Sequence, residues 1–409
     1  MRLTSAKAAL IPQKDTACAC LKRYSTIVAV GLLAISSRSV VAQNWVLTSA
    51  PVQASGRLAS SADGRTLYAG GWGCPVFIST DSGATWAPTA SPAGLWICVA
   101  CSSSGTTVIA GSNGGPAYSS TNSGASWNVL SAYVYSVATS ADGTRLAAAG
   151  GDKLYISANS GVTWTTYRPG CYLQAIASSA DGAMLVGGTY EAPIYISTNS
   201  GASWSATTAP RKDWRYVTSS ADGSQLAGMV EYYAELHQEL WISTNSGAAW
   251  AAATPPGAKN WLSAAFTADG GRLVAVMDDT SVYTSLDAGA TWTVSGAAGA
   301  SGPTGIDPCR ITFSADGSKL VGAGGPGSVY GSIYTWRAIP ALTIAISNQT
   351  AVLSWPVSSS AADFALQQSP NPANANWEHL LAAPTVVDQR WQAAFPAQGA
   401  TMFYRLALH

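Results

Sequence analysis

Three residues of metal-ligating type stand at a regular offset in the stretch MVEYYAELHQELW (229–241): Glu235, His237 and Glu239. Side chains alternate along an extended strand, so residues two apart share a face. Two carboxylates and an imidazole on one face would suit zinc or manganese. The commoner use of such a run is a solvated polar face on an exposed hairpin, and no metal or cofactor is expected. His237 is also the single histidine ahead of residue 338, so any Ser-His-Asp nucleophile would depend on it, and the sequence holds no Gly-x-Ser-x-Gly. The segment GAGGPG (322–327) matches a phosphate-cradle pattern, but it sits in a hairpin with no helix after it, and the phosphate reading fails on context. Cys98 and Cys101 form one CxxC whose odd offset sends the two thiols to opposite faces of a strand, which suits buried small hydrophobes better than redox or zinc chemistry.

A second set of residues could bind a ligand without catalysis. Trp96, Trp214 and Trp261 recur at matching positions, and Arg168, Arg211, Arg215, Lys259, Arg310, Glu231 and Tyr232 fall in segments of irregular length around them. Aromatic and basic residues concentrated on variable loops over a regular scaffold are what a binding surface requires. The alternative is tryptophan packing between sheets with solvated arginines around it.

The elements that must carry these residues are repeats. ISTDSGATW (78–86) returns as SSTNSGASW, ISANSGVTW, ISTNSGASW, ISTNSGAAW and TSLDAGATW. Trp45, Trp86, Trp127, Trp164, Trp204, Trp250 and Trp292 are spaced 41, 41, 37, 40, 46 and 42 apart. Between them recurs SADG or TADG, as in SSADG (60–64), replaced once by SSSG (102–105). A period near forty marks a repeated supersecondary unit. Each unit parses into four short strands: an alternating run, a tight Asp-Gly turn, a second strand, a third strand ending at the nine-residue motif, and a fourth beginning at its Trp. The expected fold is all-β, a seven-bladed β-propeller over residues 43–337. The seventh unit ends at SIYTW (332–336) without a fourth strand, whereas Trp45 begins one with no unit before it. Asn44 to Ser49 is therefore expected to close the ring, with Trp45 as a buried closure residue. Residues 338–409 leave the repeat and read as a small β-sandwich, with Trp355 and Phe403 as core anchors.

The pattern Ser-x-Asp/Asn-x-Gly-x-x-Trp resembles the Asp box of the bacterial neuraminidase repeat, which in that family is the turn between the third and fourth strands of a blade. The resemblance implies a structural role for Asp81, Asn122, Asn159, Asn199, Asn245 and Asp287, the Asp or Asn bonding its own backbone two residues on and the Gly supplying positive φ. Sialidases share such boxes and need an arginine triad, the first member in an Arg-Ile-Pro type motif ahead of the first box. Arg57-Leu58-Ala59 and Arg65-Thr66-Leu67 do not fit it, and sialidases have six blades. The chain is more similar to the photosystem II assembly-factor type of propeller, which are non-enzymatic binding proteins, and to the halves of xyloglucan-cleaving enzymes. The C-terminal segment looks fibronectin type III-like.

Composition bounds the partners. Of 409 residues only 10% are charged and the formal net charge is zero, against about 25% charged in an ordinary domain. No nucleic-acid or anionic-lipid footprint results. Lys22-Arg23, an apolar run to Ser37 and the small residues before Gln43 read as a signal peptide over 1–42, cleaved after Ala42. No stable membrane span is expected after cleavage, and the mature protein is expected to be secreted, periplasmic or at the cell surface. Cys74, Cys98, Cys101, Cys171 and Cys309 then remain, an odd number that excludes a complete disulfide framework. The functional expectation is an exported, non-catalytic scaffold that binds a protein or glycan through its loop face. The alternative is a glycan-active hydrolase or lyase, with paired carboxylates across the channel mouth.

Overall fold

The computed structural model describes residues 46–51, 57–231, 238–254, 261–277, 281–296, 311–324 and 332–337, followed by 343–347, 350–356, 364–369, 378–379, 384–387, 390–396 and 403–408. Trp45, Tyr232, Glu235, His237, Lys259, Cys309 and Arg310 lie outside these residues, as do the side chains of Glu231, Trp355 and Phe403.

Among the described residues every regular element is a β-strand. The third repeat shows why. Ser136–Thr139, Leu146–Gly150, Lys153–Ser157 and Thr165–Tyr167 are short alternating runs rich in Val, Thr, Tyr and Ile, and they pair antiparallel in sequence order. Between the first two, Gly143 takes φ 75°, the left-handed conformation that a tight turn needs and that costs Gly nothing. Among the described residues of 46–337 the same arrangement recurs, giving seven antiparallel sheets.

The sheet nearest residue 337 is completed from the other end of the chain. Val46–Leu47 pairs with Ser332–Arg337, in the register Val46↔Thr335 and Leu47↔Tyr334, and the Thr48 N–H continues the ladder to the Ile333 carbonyl at 2.9 Å.

Two further features join the sheets in a circle. The second residue of each of these tight turns, Ala in six and Ser103 in the SSSG turn, donates its backbone N–H to the carbonyl of the corresponding residue in the next: Ala62 to Ser103, Ser103 to Ala141, Ala141 to Ala180, Ala180 to Ala221, Ala221 to Ala268, Ala268 to Ala315, and Ala315 back to Ala62, at 2.6–3.1 Å. The apolar core is likewise divided among the junctions between consecutive sheets. Ala138, Leu154 and Leu173 meet at one, Val186, Ile194 and Trp214 at another, and Leu58, Leu67, Val321 and Ile333 where the last sheet meets the first. Each sheet is thus buried on both faces, which is why its central strands are almost uniformly apolar (LAAAG, LVAVM) rather than alternating.

One strand departs from the four-per-unit pattern. Trp72–Cys74, in the second-to-third hairpin of the first unit, crosses to pair with Gly94–Cys101 of the next sheet. Beyond residue 337 lie two small antiparallel sheets, one built on Thr350–Pro356 and Arg390–Pro396 and the other on Phe364–Ser369 and Phe403–Leu408. No helix among the described residues is long and apolar enough to cross a membrane.

Candidate functional site

The recurrent motif is a closed hydrogen-bonded unit. Ser79 Oγ lies buried in the turn, accepts from the Gly83 N–H at 2.9 Å and donates to Asp81 Oδ1 at 2.8 Å. The carboxylate accepts from the Thr85 N–H, four residues on, at 2.8 Å, and Trp86 Nε1 donates to the Gly83 carbonyl at 3.1 Å. The expected bond two residues on is therefore corrected to four. Ser82 (φ 60°) and Gly83 (φ 91°) are both left-handed and carry the chain round far enough to bring Thr85 back over the acid. The two-residue bond belongs to the Asp-Gly turns, as in Arg65 N–H to Asp63 Oδ1 at 2.9 Å.

Asn in place of Asp reverses one bond. Thr85 Oγ1 donates to Asp81 Oδ2, whereas Asn122 Nδ2 donates to Ser126 Oγ. Asp287 accepts the Thr291 hydroxyl, the Thr291 N–H and the Ser285 hydroxyl, which together hold its carboxyl down at about 2. These oxygens are spent within the turn, which makes the motif structural.

The motifs also fix the two faces. Ser82 N–H donates to the Arg65 carbonyl, and Ser123 to Thr106, Ser160 to Thr144, Ser200 to Ala183 and Ser246 to Ser224 do the same, at 2.8–2.9 Å. Boxes and Asp-Gly turns therefore share one face, and the second-to-third hairpins and inter-sheet links share the other.

On that other face the first strands of five consecutive sheets enclose a cavity of about 900 Å³. Its floor is apolar: Leu58, Val99, Val137, Ile176 and Val217. Its mouth is polar and aromatic, carrying Arg57, Asn113, Tyr133, Tyr135, Tyr172, Gln174, Tyr190 and Arg215. Ile97, Gln174 and Arg215 are placed there by irregularities in pairing, because the register shifts between Trp96 and Cys98, between Leu173 and Ala175, and between Trp214 and Tyr216. Each bulge adds one residue to the first strand and turns it toward the axis.

The mouth is cross-linked. The Tyr133 and Tyr135 rings meet edge to face with centroids 5.0 Å apart. The Tyr172 hydroxyl donates to the Tyr135 oxygen at 2.9 Å, and the Tyr133 hydroxyl donates to Asn113 Oδ1 at 3.2 Å. The bond to Tyr135 is the largest cause that pushes the Tyr172 phenol up to about 12. Asp213 accepts from Gln174 Nε2 at 2.7 Å and pairs with Arg215 at 3.2 Å. Glu191, beside Tyr190, is the one non-glycine residue with positive φ (49°) outside the boxes among the described residues. Its bond with Tyr190 is the largest cause raising that phenol above its ordinary range. Among the described residues the exposed large aromatics are Trp72, Tyr133, Tyr172 and Tyr190, all on this face.

Of the residues singled out from sequence, Arg215 lines this mouth. Trp96, Trp214 and Trp261 do not face solvent and are corrected: all are essentially fully buried at the sheet junctions. The bulges beside Trp96 and Trp214 place Ile97 and Arg215, not the indoles, on the cavity, and Trp96 Nε1 is spent on the Cys74 carbonyl at 2.8 Å. Arg168 is an exposed partner of Asp152 and Arg211 is exposed; neither lines the cavity. Glu231 ends its strand opposite Gln238. Lys212 Nζ donates to Glu239 Oε1 at 3.2 Å and Trp241 Nε1 donates to Oε2 at 2.7 Å, which commits both oxygens. Missed by sequence reasoning were Tyr133, Tyr135, Tyr172, Tyr190 and Arg57. The signal was present in AYVYS (132–136) and CYLQ (171–174), where tyrosines crowd the entry to first strands beyond what packing needs.

The closed circle of sheets and its central mouth define a β-propeller. Solved structures of the same fold include "YCF48 bound to D1 peptide", at 12% identity over 72% of this chain and 96% of that one with TM-score 0.53. YCF48 from Cyanidioschyzon merolae matches at 14% identity over 72% and 98%, TM-score 0.52. An ancestral GH74 enzyme matches at 13% identity over 76% of this chain, TM-score 0.52, and the chain spans 53% of that enzyme's length. At these identities the likeness is one of fold. No family model matches the chain, and no curated protein does.

Proposed function

We propose that the protein is an exported, seven-bladed Asp-box β-propeller that binds a protein segment at the channel mouth without catalysis, with a fibronectin type III-like module at its C-terminus. The signal peptide over 1–42 would deliver it to the periplasm, cell surface or medium. The observation that carries the binding reading is the concentration of exposed aromatic rings around one mouth, on the face opposite the structural turns. Rigid amphipathic rings give large contact area at low entropic cost and dominate protein-binding surfaces. A propeller bound to a peptide among the similar structures agrees with this reading. The glycan-active alternative rests on the GH74 neighbour and on fold alone.

Panning a random-peptide display library against the mature chain, with Tyr133→Ala/Tyr172→Ala as the counter-selection, tests the proposal. Peptides enriched on the wild type and lost on the double variant are expected. Peptides retained equally by both would refute the mouth as the binding site.

A further inference from the structure

The donors and acceptors around the mouth are not balanced. Tyr172 gives its proton to Tyr135, the Tyr135 and Tyr133 rings meet edge to face, and Tyr133 gives its proton to Asn113 Oδ1. The Tyr133 bond consumes the Asn113 amide oxygen, which leaves the Nδ2 hydrogens without a protein acceptor among the described residues. Arg215 and Gln174 both turn to Asp213, so that carboxylate is already engaged. Arg57 lines the same cavity and has no carboxylate partner among the described residues, although it lies close enough to draw the neighbouring Cys98 thiol downward against the effect of burial. A guanidinium and an amide NH₂ share an apolar-floored cavity, and both ask for an acceptor. Arg57 is half-buried and Asn113 exposed at the rim, and a charged donor of this kind favours an anion over a neutral group.

We propose that the mouth is a carboxylate seat: Arg57 and Asn113 Nδ2 take an acidic side chain of the bound segment, while the tyrosine rings carry its apolar neighbours. This deepens the peptide-binding reading and rests on it. The mature chain, with 15 basic against 20 acidic residues once 1–42 are removed, is net negative, so non-specific attraction is no rival source of selectivity for acidic ligands.

Isothermal titration of the mature chain with N-acetylated, C-amidated hexaglutamate, hexaglutamine and free glutarate tests the seat at physiological salt. Hexaglutamate is expected to bind at least tenfold more tightly than hexaglutamine, as a charge-assisted bond requires. Arg57→Gln should lower hexaglutamate affinity about tenfold and leave hexaglutamine unchanged. Asn113→Asp keeps the acceptor for Tyr133 while replacing the donor with a like charge, and should weaken hexaglutamate alone. Unchanged melting temperatures verify that both variants fold. Equal binding of the two peptides, or undiminished hexaglutamate binding by well-folded Arg57→Gln, overturns the seat. Equal peptide binding that is lost in Tyr133→Ala/Tyr172→Ala would do so while leaving segment binding in place, so the two readings fail separately. Glutarate bound as tightly as hexaglutamate overturns the peptide as the source of the carboxylate.

Discussion

The backbone N–H of Ala315 donates to the carbonyl of Ala62 at 2.9 Å, and with this bond the belt of Asp-Gly turns meets its own beginning. The two residues come from the last and first of these turns, so the contact is one that chain connectivity does not supply. A circle of sheets that closes has no exposed edge at the junction, and every sheet is covered on both faces.

This relationship can be perturbed without disturbing the turn. Ala315 is the second residue of the β-turn Ser314–Gly317, a position that tolerates proline. Ala315→Pro would remove only the closing donor. It should lower stability by about 1 kcal/mol in urea denaturation. Thr48→Pro should act in the same direction, since it removes the donor to the Ile333 carbonyl in the closing sheet. If both variants unfold at the wild-type urea midpoint, the closure contributes nothing to stability.

The box serines give a second prediction. Ser79, Ser120, Ser157, Ser197, Ser243 and Ser285 are each at most 2% exposed, and each accepts the glycine N–H of its box. Replacing Ser157 with Ala orphans the buried Gly161 N–H and removes a donor to Asn159, at a cost of about 1–3 kcal/mol. A double-mutant cycle with Asn159→Ala should show coupling between the two positions. Strict additivity would contradict the closed unit described above.

The turn carboxylates predict the acid limb of stability. Hydrogen bonds from Ser140, Ser179, Ser220 and Thr267 are the first cause holding Asp142, Asp181, Asp222 and Asp269 below the ordinary aspartate range. A group whose folded pKa is depressed adds stability that is fully present above its unfolded value, near 3.9, and is lost as pH falls through the folded value. Stability should therefore be flat with respect to these groups above about pH 5 and should decline below about pH 4. Urea midpoints measured against pH check this. Asp142→Asn should reduce the slope of the acid limb, and a slope unchanged in that variant would sink the assignment.

Cys98 and Cys171 should be inert in the native state. Burial pushes the Cys98 thiol up to about 12 and the Cys171 thiol up to about 11, and the thiolate is the reactive form. Iodoacetamide at pH 8, followed by mass spectrometry, should leave Cys98 unmodified until denaturant is added. Prompt native labelling of Cys98 would show that its strand opens readily.

Much of this architecture was legible because the repeat is written in turn chemistry. Asp-Gly and Ser-x-Asp/Asn-x-Gly dictate local conformation, and tryptophans spaced about forty residues apart mark the strands they begin. The mouth was far less legible. Trp96, Trp214 and Trp261 stand out in the sequence because they are large and periodic, and periodicity is what packing between equivalent sheets produces. The residues that face the axis, Ile97, Gln174 and Arg215, share no chemistry. They share a bulge, which depends on pairing with the second strand and leaves no mark on the local sequence. Strict alternation misplaces such residues by one position, from the axis to a junction.

The central claim, that a protein segment binds at the tyrosine-rimmed mouth, is tested most directly by hydrogen–deuterium exchange of the mature chain with and without a peptide selected by panning. Slowed exchange is expected in the segments around Asn113, Tyr133–Ser136, Tyr172–Gln174 and Tyr190–Glu191, with the turn face unchanged. Protection confined to the Asp-Gly turns and boxes, for example around Asp142 and Asn199, would place the ligand on the opposite face and contradict the account.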